Sequence, residues 1–470
     1  MFIGREEELM FLEQKLKSHR FEMIPIYGRR RVGKTRLIEE FTQNKKTIFF
    51  TADLLGETSN LSNLSKAITN TITKTISDLI FTSFQEAFEE VAEYAKENNE
   101  EIIFVIDEYP YLAGASDGIS SILQRTIDKQ YLKLPNLMLI LTGSQTSFME
   151  RQVLGYQSPL YGRRTGQIKL RPLTFCEARK FLPTMNIKCF LTLYGITGGI
   201  PLYLSIMDDT LSLEGNIKQN LLTQNTLLYE EPRNLLFQEL RTPDRYNAIL
   251  IAIARGTTRL NEISNKTGIE SGLLVSYINT LMELDIVEKR VPIPTSGKKR
   301  GIYYIKDGLF HFWYRYIPNY KNFLESGRLN GIWPRIEEDL IQFTSLIFED
   351  FCRNWILYNS PMLIKEVGGW WGNNPLIKSA KATAEEVDVI GIALEKEELV
   401  VGECKWRNEK TDISVGEKLV ERAKFFPYLK KDLYIFSKSE FTTGLEEYAK
   451  THDIKLIRYH DMVDFSTKRN

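Results

Sequence analysis

At 470 residues the chain is longer than a single hydrophobic core usually sustains, so two or three domains are expected. A content of 43% hydrophobic and 26% charged residues excludes a disordered or collagen-like chain. Lys plus Arg equals Asp plus Glu at 61 each, which excludes a global field drawing the protein to nucleic acid or membrane and leaves only local patches for that purpose.

The N-terminus runs directly into Gly4-Arg5-Glu6-Glu7-Glu8, with no basic n-region or apolar h-region, and no uncharged run reaches membrane-spanning length. Cys176, Cys189, Cys352 and Cys404 are far apart and form no C-x-x-C pair, which fits neither a disulfide frame nor a zinc site. The expectation is a cytoplasmic protein without a membrane partner.

In chain order, Leu9, Phe11, Leu12 and Leu16 recur at helical spacing, and the apolar run Met23 to Tyr27 then ends at Gly28, which reads as helix, strand and loop. Ile48 to Phe50, Glu101 to Ile106 and Leu137 to Leu141 are further strand candidates, separated by helical stretches at Leu61 to Phe81 and Phe84 to Tyr94. Strands alternating with helices imply a parallel sheet covered on both faces. Leu221 to Ile253 is mainly helical. Past Gly331 a helix around Ile336 to Tyr358 precedes strand candidates at Val387 to Ala393, Leu399 to Trp406 and Leu433 to Phe436, a separate mixed sheet.

The loop Gly28-Arg29-Arg30-Arg31-Val32-Gly33-Lys34-Thr35 has the G-x-x-x-x-G-K-T spacing of a P-loop. Its glycines let the backbone turn its N–H groups toward phosphate oxygens, with a helix dipole behind them. Lys34 supplies a point charge for the β and γ phosphates, and the Thr35 hydroxyl is a Mg²⁺ ligand. Arg36 follows in the same turn, and Pro25 sits badly in a central strand.

The apolar strand Ile102 to Ile106 ends in Asp107-Glu108, which suits a Walker B element: Asp107 holds the magnesium through water, and Glu108 polarises the attacking water as general base. Ser144, after the strand Leu137 to Leu141, is a candidate γ-phosphate sensor or plain turn chemistry. Arg163 and Arg164 are candidates for an arginine that serves a neighbouring subunit. Homo-oligomers or a partner protein therefore remain open.

With Phe2-Ile3-Gly4-Arg5-Glu6-Glu7-Glu8-Leu9, the P-loop, and Thr197-Gly198-Gly199-Ile200-Pro201, the first half of the chain resembles the archaeal-type AAA+/STAND ATPase family. The resemblance implies ATP and Mg²⁺ as cofactors, an opening motif that caps the base, and a Gly-Gly-x-Pro segment in a lid near the phosphates.

Leu260-Asn261-Glu262-Ile263-Ser264 begins a short helix, Gly268 turns the chain, and Leu273, Leu274, Tyr277, Ile278 and Leu281 line a second helix. With Ile286 to Ile305 as a hairpin, this is a winged-helix pattern. The outward residues Ser271, Ser276, Asn279 and Thr280 carry no positive charge, whereas the turn Gly297-Lys298-Lys299-Arg300-Gly301 is basic. DNA contact and domain packing both stay open.

In the C-terminal third, a turn around Glu395-Lys396 pairs the strand Val387 to Gly391 with Leu399 to Trp406 and sets Asp388 opposite Glu403. Opposed carboxylates destabilise a sheet unless a cation lies between them, so Asp388 and Glu403 are candidate ligands of a divalent metal. Lys405 shares the Glu403 face and can orient a water or stabilise a phosphate. Surface charges on an ordinary hairpin are the bland alternative. The segment resembles the PD-(D/E)xK nuclease superfamily, with Glu349 matching the acidic residue of its first helix and Val387 in place of the namesake Pro, and also the domain of unknown function fused to this ATPase family.

The fold expected is α/β: a P-loop NTPase parallel-sheet domain over 1–170, a helical lid over 171–240, a winged helix-turn-helix over 241–325 and a C-terminal restriction-endonuclease-like α/β domain over 335–465. The function expected is ATP hydrolysis coupled to DNA cleavage. A switch that binds DNA or protein without cutting is the alternative. His311 and Trp370-Trp371 read as packing residues.

Overall fold

A computed structural model describes residues 2–72, 80–240, 242–294, 301–377 and 383–466. The chain forms two compact units, one of residues 1–177 with 199–205, the other of 178–198 with 206–470.

The first unit is built on a five-stranded parallel sheet of β1 (Glu22–Tyr27), β2 (Lys46–Thr51), β3 (Ile102–Asp107), β4 (Leu137–Gly143) and β5 (Ile168–Lys169), in the order β2-β3-β4-β1-β5. Every residue of β1, β3 and β4 is buried, which is why these strands read as unbroken apolar runs without alternation. Edge strand β2 is partly exposed and alternates.

Helices cover both faces. The helix Phe84–Glu97 starts at Ser83, whose hydroxyl accepts the Glu86 N–H at 3.2 Å, while the Glu86 carboxylate accepts the Thr82 N–H at 2.7 Å. Its buried stripe of Phe84, Ala87, Phe88, Val91, Ala92 and Ala95 follows the 3.6 period. Burying Phe88 alone contributes about 2 kcal/mol.

Pro25 is accommodated by where β1 lies. The backbone groups of Met23 and Tyr27 face the β5 side, bonding Thr165 at 3.0 Å and the Leu170 N–H at 2.7 Å. Pro25, at the same parity, turns its missing N–H toward that side, where β5 pairs only with Ile26 and Tyr27. The ladder to β4 loses nothing.

In the second unit the helices Pro243–Ala254, Leu260–Thr267 and Ser271–Glu283 lead into an antiparallel hairpin of β6 (Val287–Arg290) and β7 (Ile302–Ile305). Gly268 ends the middle helix at φ 69°, as its sequence position implies. The basic turn at 297–300 lies outside the described residues.

The helix Leu329–Asn359 then packs on a mixed sheet of β8 (Ile364–Asn373), β9 (Ala384–Ala393), β10 (Glu398–Lys405), β11 (Lys430–Ser437) and β12 (Ile454–Arg458). The order is β12-β11-β10-β9-β8, antiparallel from β8 to β10 and parallel from β10 to β12. Trp370 is buried against Phe425 and Phe426, and His311 is buried beside Tyr304 and Phe343, as packing residues. Strands β5, β8 and β12 carry no clear period in the sequence and were not anticipated. No described helix is long and apolar enough to cross a membrane.

Candidate functional sites

The P-loop leaves β1 at Gly28, whose φ is 154°, and a Cβ there would stand 2.3 Å from the Leu170 carbonyl oxygen. Only glycine fits. Gly33, at φ 92°, caps the helix Lys34–Thr42, whose buried face is Leu37, Ile38 and Phe41. Between them Val32 is buried and Arg31 adopts a left-handed φ of 70°, so the loop holds a shape most side chains avoid.

Lys34 is 6% exposed and donates to the Gly28 and Arg29 carbonyls at 2.9 and 3.1 Å, which sets its ammonium inside the turn where a phosphate enters. The Thr35 hydroxyl donates to Asp107 at 3.2 Å. Oxygen donors from the first turn of the helix Lys34–Thr42 and from the end of β3 thus meet at one point, and a Mg²⁺ bound by Thr35 and reached through water by Asp107 fits them. Burial pushes the Asp107 carboxyl above its usual range, against the hydrogen bonds from Thr142 and Thr35.

Glu108 stands next in sequence at φ 52°. Its Oε2 accepts the Ser144 N–H at 3.1 Å and the Ser144 hydroxyl at 2.9 Å. Thr142 links the pair: its hydroxyl donates to Asp107 and accepts the Glu108 N–H at 3.3 Å. Pro201 lies against the P-loop, 3.9 Å from where a Gly33 Cβ would be.

Four of the expected arginines have protein partners. The Arg36 guanidinium, half exposed, pairs with Glu39 at 3.1 Å on its own helix, and Arg30 donates to the Tyr111 hydroxyl. Arg163 makes a two-pronged pair with Asp128 at 2.7 Å, and Arg164 bonds Gln167 at 2.7 Å.

Arg5 joins the P-loop to a distant segment. At 6% exposure and φ 70°, its Nη2 donates to the Val32 carbonyl at 3.3 Å and the Arg171 carbonyl at 2.5 Å, fastening the P-loop to the segment after β5. The Gly4-Arg5-Glu6 motif marked it, but the motif alone does not disclose a carbonyl partner 166 residues away.

In the second unit, β9 and β10 pair Val389 with Gly402 and Ile390 with Val401, the register that sets Asp388 opposite Glu403. Asp388 Oδ2 accepts the Cys404 N–H at 2.7 Å. Glu403, 5% exposed, accepts Lys405 Nζ at 2.6 Å on one oxygen and Arg422 Nη1 at 2.8 Å on the other. Arg422 also donates to Glu385, from Nη2 at 3.1 Å. Arg422 was not anticipated, because nothing in the helix Ile413–Ala423 distinguishes an inward arginine from a surface one.

Burial, with Glu403 beside it, raises the Asp388 carboxyl to about 7. Burial, with Asp388 beside it, raises Glu349 to about 8. Burial alone would lower Lys405, but Glu403 and Asp388 raise it. Among the described residues no three His, Cys, Asp or Glu side chains gather closely enough to hold a metal by themselves. Asp388 and Glu403 would supply a divalent cation with two carboxylates at most, and both Glu403 oxygens already face cations, Lys405 and Arg422.

Residues 2–207 match a family described as an ATPase domain predominantly from Archaea, and residues 313–415 match one described as archaea bacterial proteins of unknown function. An uncharacterized protein of Methanocaldococcus jannaschii is 32% identical over 97% of this chain and 95% of its own length. An uncharacterized ATP-binding protein of the same organism is 56% identical over 46 residues, 10% of this chain and 78% of that one. A solved Walker-type ATPase of Pyrococcus abyssi shares the fold with a TM-score of 0.51 and 22% identity, covering 67% of this chain and 96% of that one. P-loop, Walker B pair and both matches agree: the chain belongs to the family of archaeal-type ATPases in which a P-loop ATPase domain precedes a C-terminal domain of unknown function.

Proposed function

We propose that the chain is a cytoplasmic ATP-hydrolysing switch that drives a metal-dependent nuclease acting on DNA, with a lid over 171–240, a winged helix over 241–325 and a nuclease domain over 335–465 between them dividing the work. In the ATPase site the P-loop amides and Lys34 hold the phosphates, Thr35 and Asp107 serve the magnesium, and Glu108 takes the proton of the attacking water. In the nuclease site Asp388 and Glu403 would hold a divalent cation, which would supply Lewis acidity at a phosphodiester. Lys405 steadies the charge that develops there, and Glu349 flanks the pair.

The observation that carries the nuclease reading is the hairpin register, which brings Asp388, Glu403 and Lys405 to one point of a sheet where two carboxylates sit together at a cost. The test is plasmid DNA incubated with Mg²⁺ or Mn²⁺, with and without ATP. Cutting that disappears in Asp388→Ala and in Glu403→Ala supports the reading.

One feature favours a non-nucleolytic switch instead: both Glu403 oxygens already have cationic partners, Lys405 and Arg422. DNA left intact by a protein that hydrolyses ATP supports that second reading.

A further inference from the structure

The β6–β7 hairpin is joined to the carboxylate centre by an unbroken run of charged contacts. Arg290, the last residue of β6, donates to Asp350 Oδ2 at 2.8 Å while its guanidinium lies 4.2 Å over the Tyr304 ring of β7 and pairs with Glu288. The other Asp350 oxygen accepts Arg353 Nη1 at 2.6 Å. Arg353 then reaches the centre twice, with Nη2 on Glu349 at 3.0 Å and Nε on the Asp388 backbone carbonyl at 2.8 Å.

Just past β6 the hairpin is also fixed through backbone and core. The Ile293 N–H donates to the Gly369 carbonyl at 3.0 Å, and its side chain, 4% exposed, belongs to the apolar core of the β8–β12 sheet with Trp370, Val387 and Leu399. A Cβ on Gly369 would stand 3.1 Å from Arg353 Nη2, so β8 closes over the same guanidinium. Three N–H directions of one planar fork are thereby committed to three different acceptors, an arrangement a lysine cannot reproduce.

We propose that Arg353 is the positioning residue of the carboxylate centre, and that Arg290, through Asp350, makes the placement of Asp388 and Glu349 depend on the docking of the β6–β7 hairpin. The proposal rests on the nuclease reading of that centre. It assigns the hairpin a role distinct from DNA contact: whatever moves the helices ahead of β6 reaches the cation site through Arg290, Asp350 and Arg353.

Electrostatics and positioning predict opposite signs. Arg353 is a cation beside two carboxylates, so its charge alone opposes a bound metal, and removing that charge should tighten metal binding. Loss of positioning should weaken it, since partners that orient a metal ligand are commonly worth about tenfold or more in affinity.

The experiment titrates full-length protein with Mn²⁺ in the absence of nucleotide and DNA, with the P-loop magnesium site silenced in every sample by Asp107→Asn, and follows binding by electron paramagnetic resonance. Arg353→Lys keeps the charge and loses the fork, and Arg353→Gln loses both. Arg290→Gln leaves the centre's own sheet intact. Mn²⁺ binding weakened about tenfold by Arg353→Lys, and weakened in the same direction but less by Arg290→Gln, supports the proposal. Affinity unchanged or tightened in these variants, with the Asp388-dependent site still bound in the parent, overturns it. If the Arg353 variants do not fold, Arg290→Gln decides alone by the same criterion. A parent protein that binds no Mn²⁺ in an Asp388-dependent way overturns the nuclease reading itself and the proposal with it.

Discussion

Ser144 holds Glu108 by two donors on one carboxylate oxygen, the backbone N–H at 3.1 Å and the hydroxyl at 2.9 Å. A general base must reach its water, so in this arrangement Ser144 competes with catalysis. Replacing Ser144 by Ala removes one of the two donors, and a hydrogen bond to a charged group is worth about 2 kcal/mol. The basal ATPase rate of Ser144→Ala should therefore rise severalfold in a phosphate-release assay. A fall instead assigns the hydroxyl to the γ-phosphate.

Glu108→Gln removes the proton acceptor and leaves the P-loop, Lys34 and Thr35 untouched. Hydrolysis should drop by roughly a hundredfold or more while ATP affinity stays within a few fold, because general-base catalysis contributes on that order. Equal losses in binding and turnover would contradict the assignment.

The buried Arg5 guanidinium donates to two backbone carbonyls, of Val32 and Arg171. Arg5→Ala should destabilise the first unit by about 2 to 3 kcal/mol, since charge-assisted hydrogen bonds are lost and acceptors are left unpaired. Thermal unfolding followed with and without ATP checks this. The variant should also gain less from ATP, because Val32, one of the tethered carbonyls, belongs to the P-loop.

Asp388 and Glu349 titrate higher in the folded chain than in an unfolded one, at about 7 and about 8. The folded state thus holds more protons, and the stability this confers is full below the ordinary carboxylate range and is lost as pH rises through those values. Denaturation midpoints should fall between about pH 5 and pH 8, and Asp388→Asn should flatten that fall. Mg²⁺ should restore part of the loss at the upper end. A pH-independent midpoint in the parent would argue against the two buried carboxyls facing each other.

Much of the ATPase fold was legible because a parallel sheet covered on both faces writes its strands as apolar runs, as in Ile102 to Ile106 and Leu137 to Leu141. The β9–β10 register was equally legible, since one turn fixes every pair that follows it. Strand β5 was not, being two residues long. The glycine-rich β8 was not, because Gly368 and Gly369 interrupt the strand signal, while in the fold they permit Ile293 and Arg353 to approach. Arg353, Arg422 and Arg5 share one reason for being missed: their acceptors are distant in sequence, or their inward direction is set by a packed face that spacing alone does not reveal.

The central claim is that the loop from Gly28 to Thr35 binds a nucleoside triphosphate with magnesium. Isothermal titration of the full chain with ATP and Mg²⁺ tests it, beside Lys34→Ala. Saturable binding at one site, weakened at least about tenfold by the substitution through loss of a charge-assisted contact, is the predicted result. Absence of binding in the parent, or binding that Lys34→Ala leaves unchanged, contradicts the account.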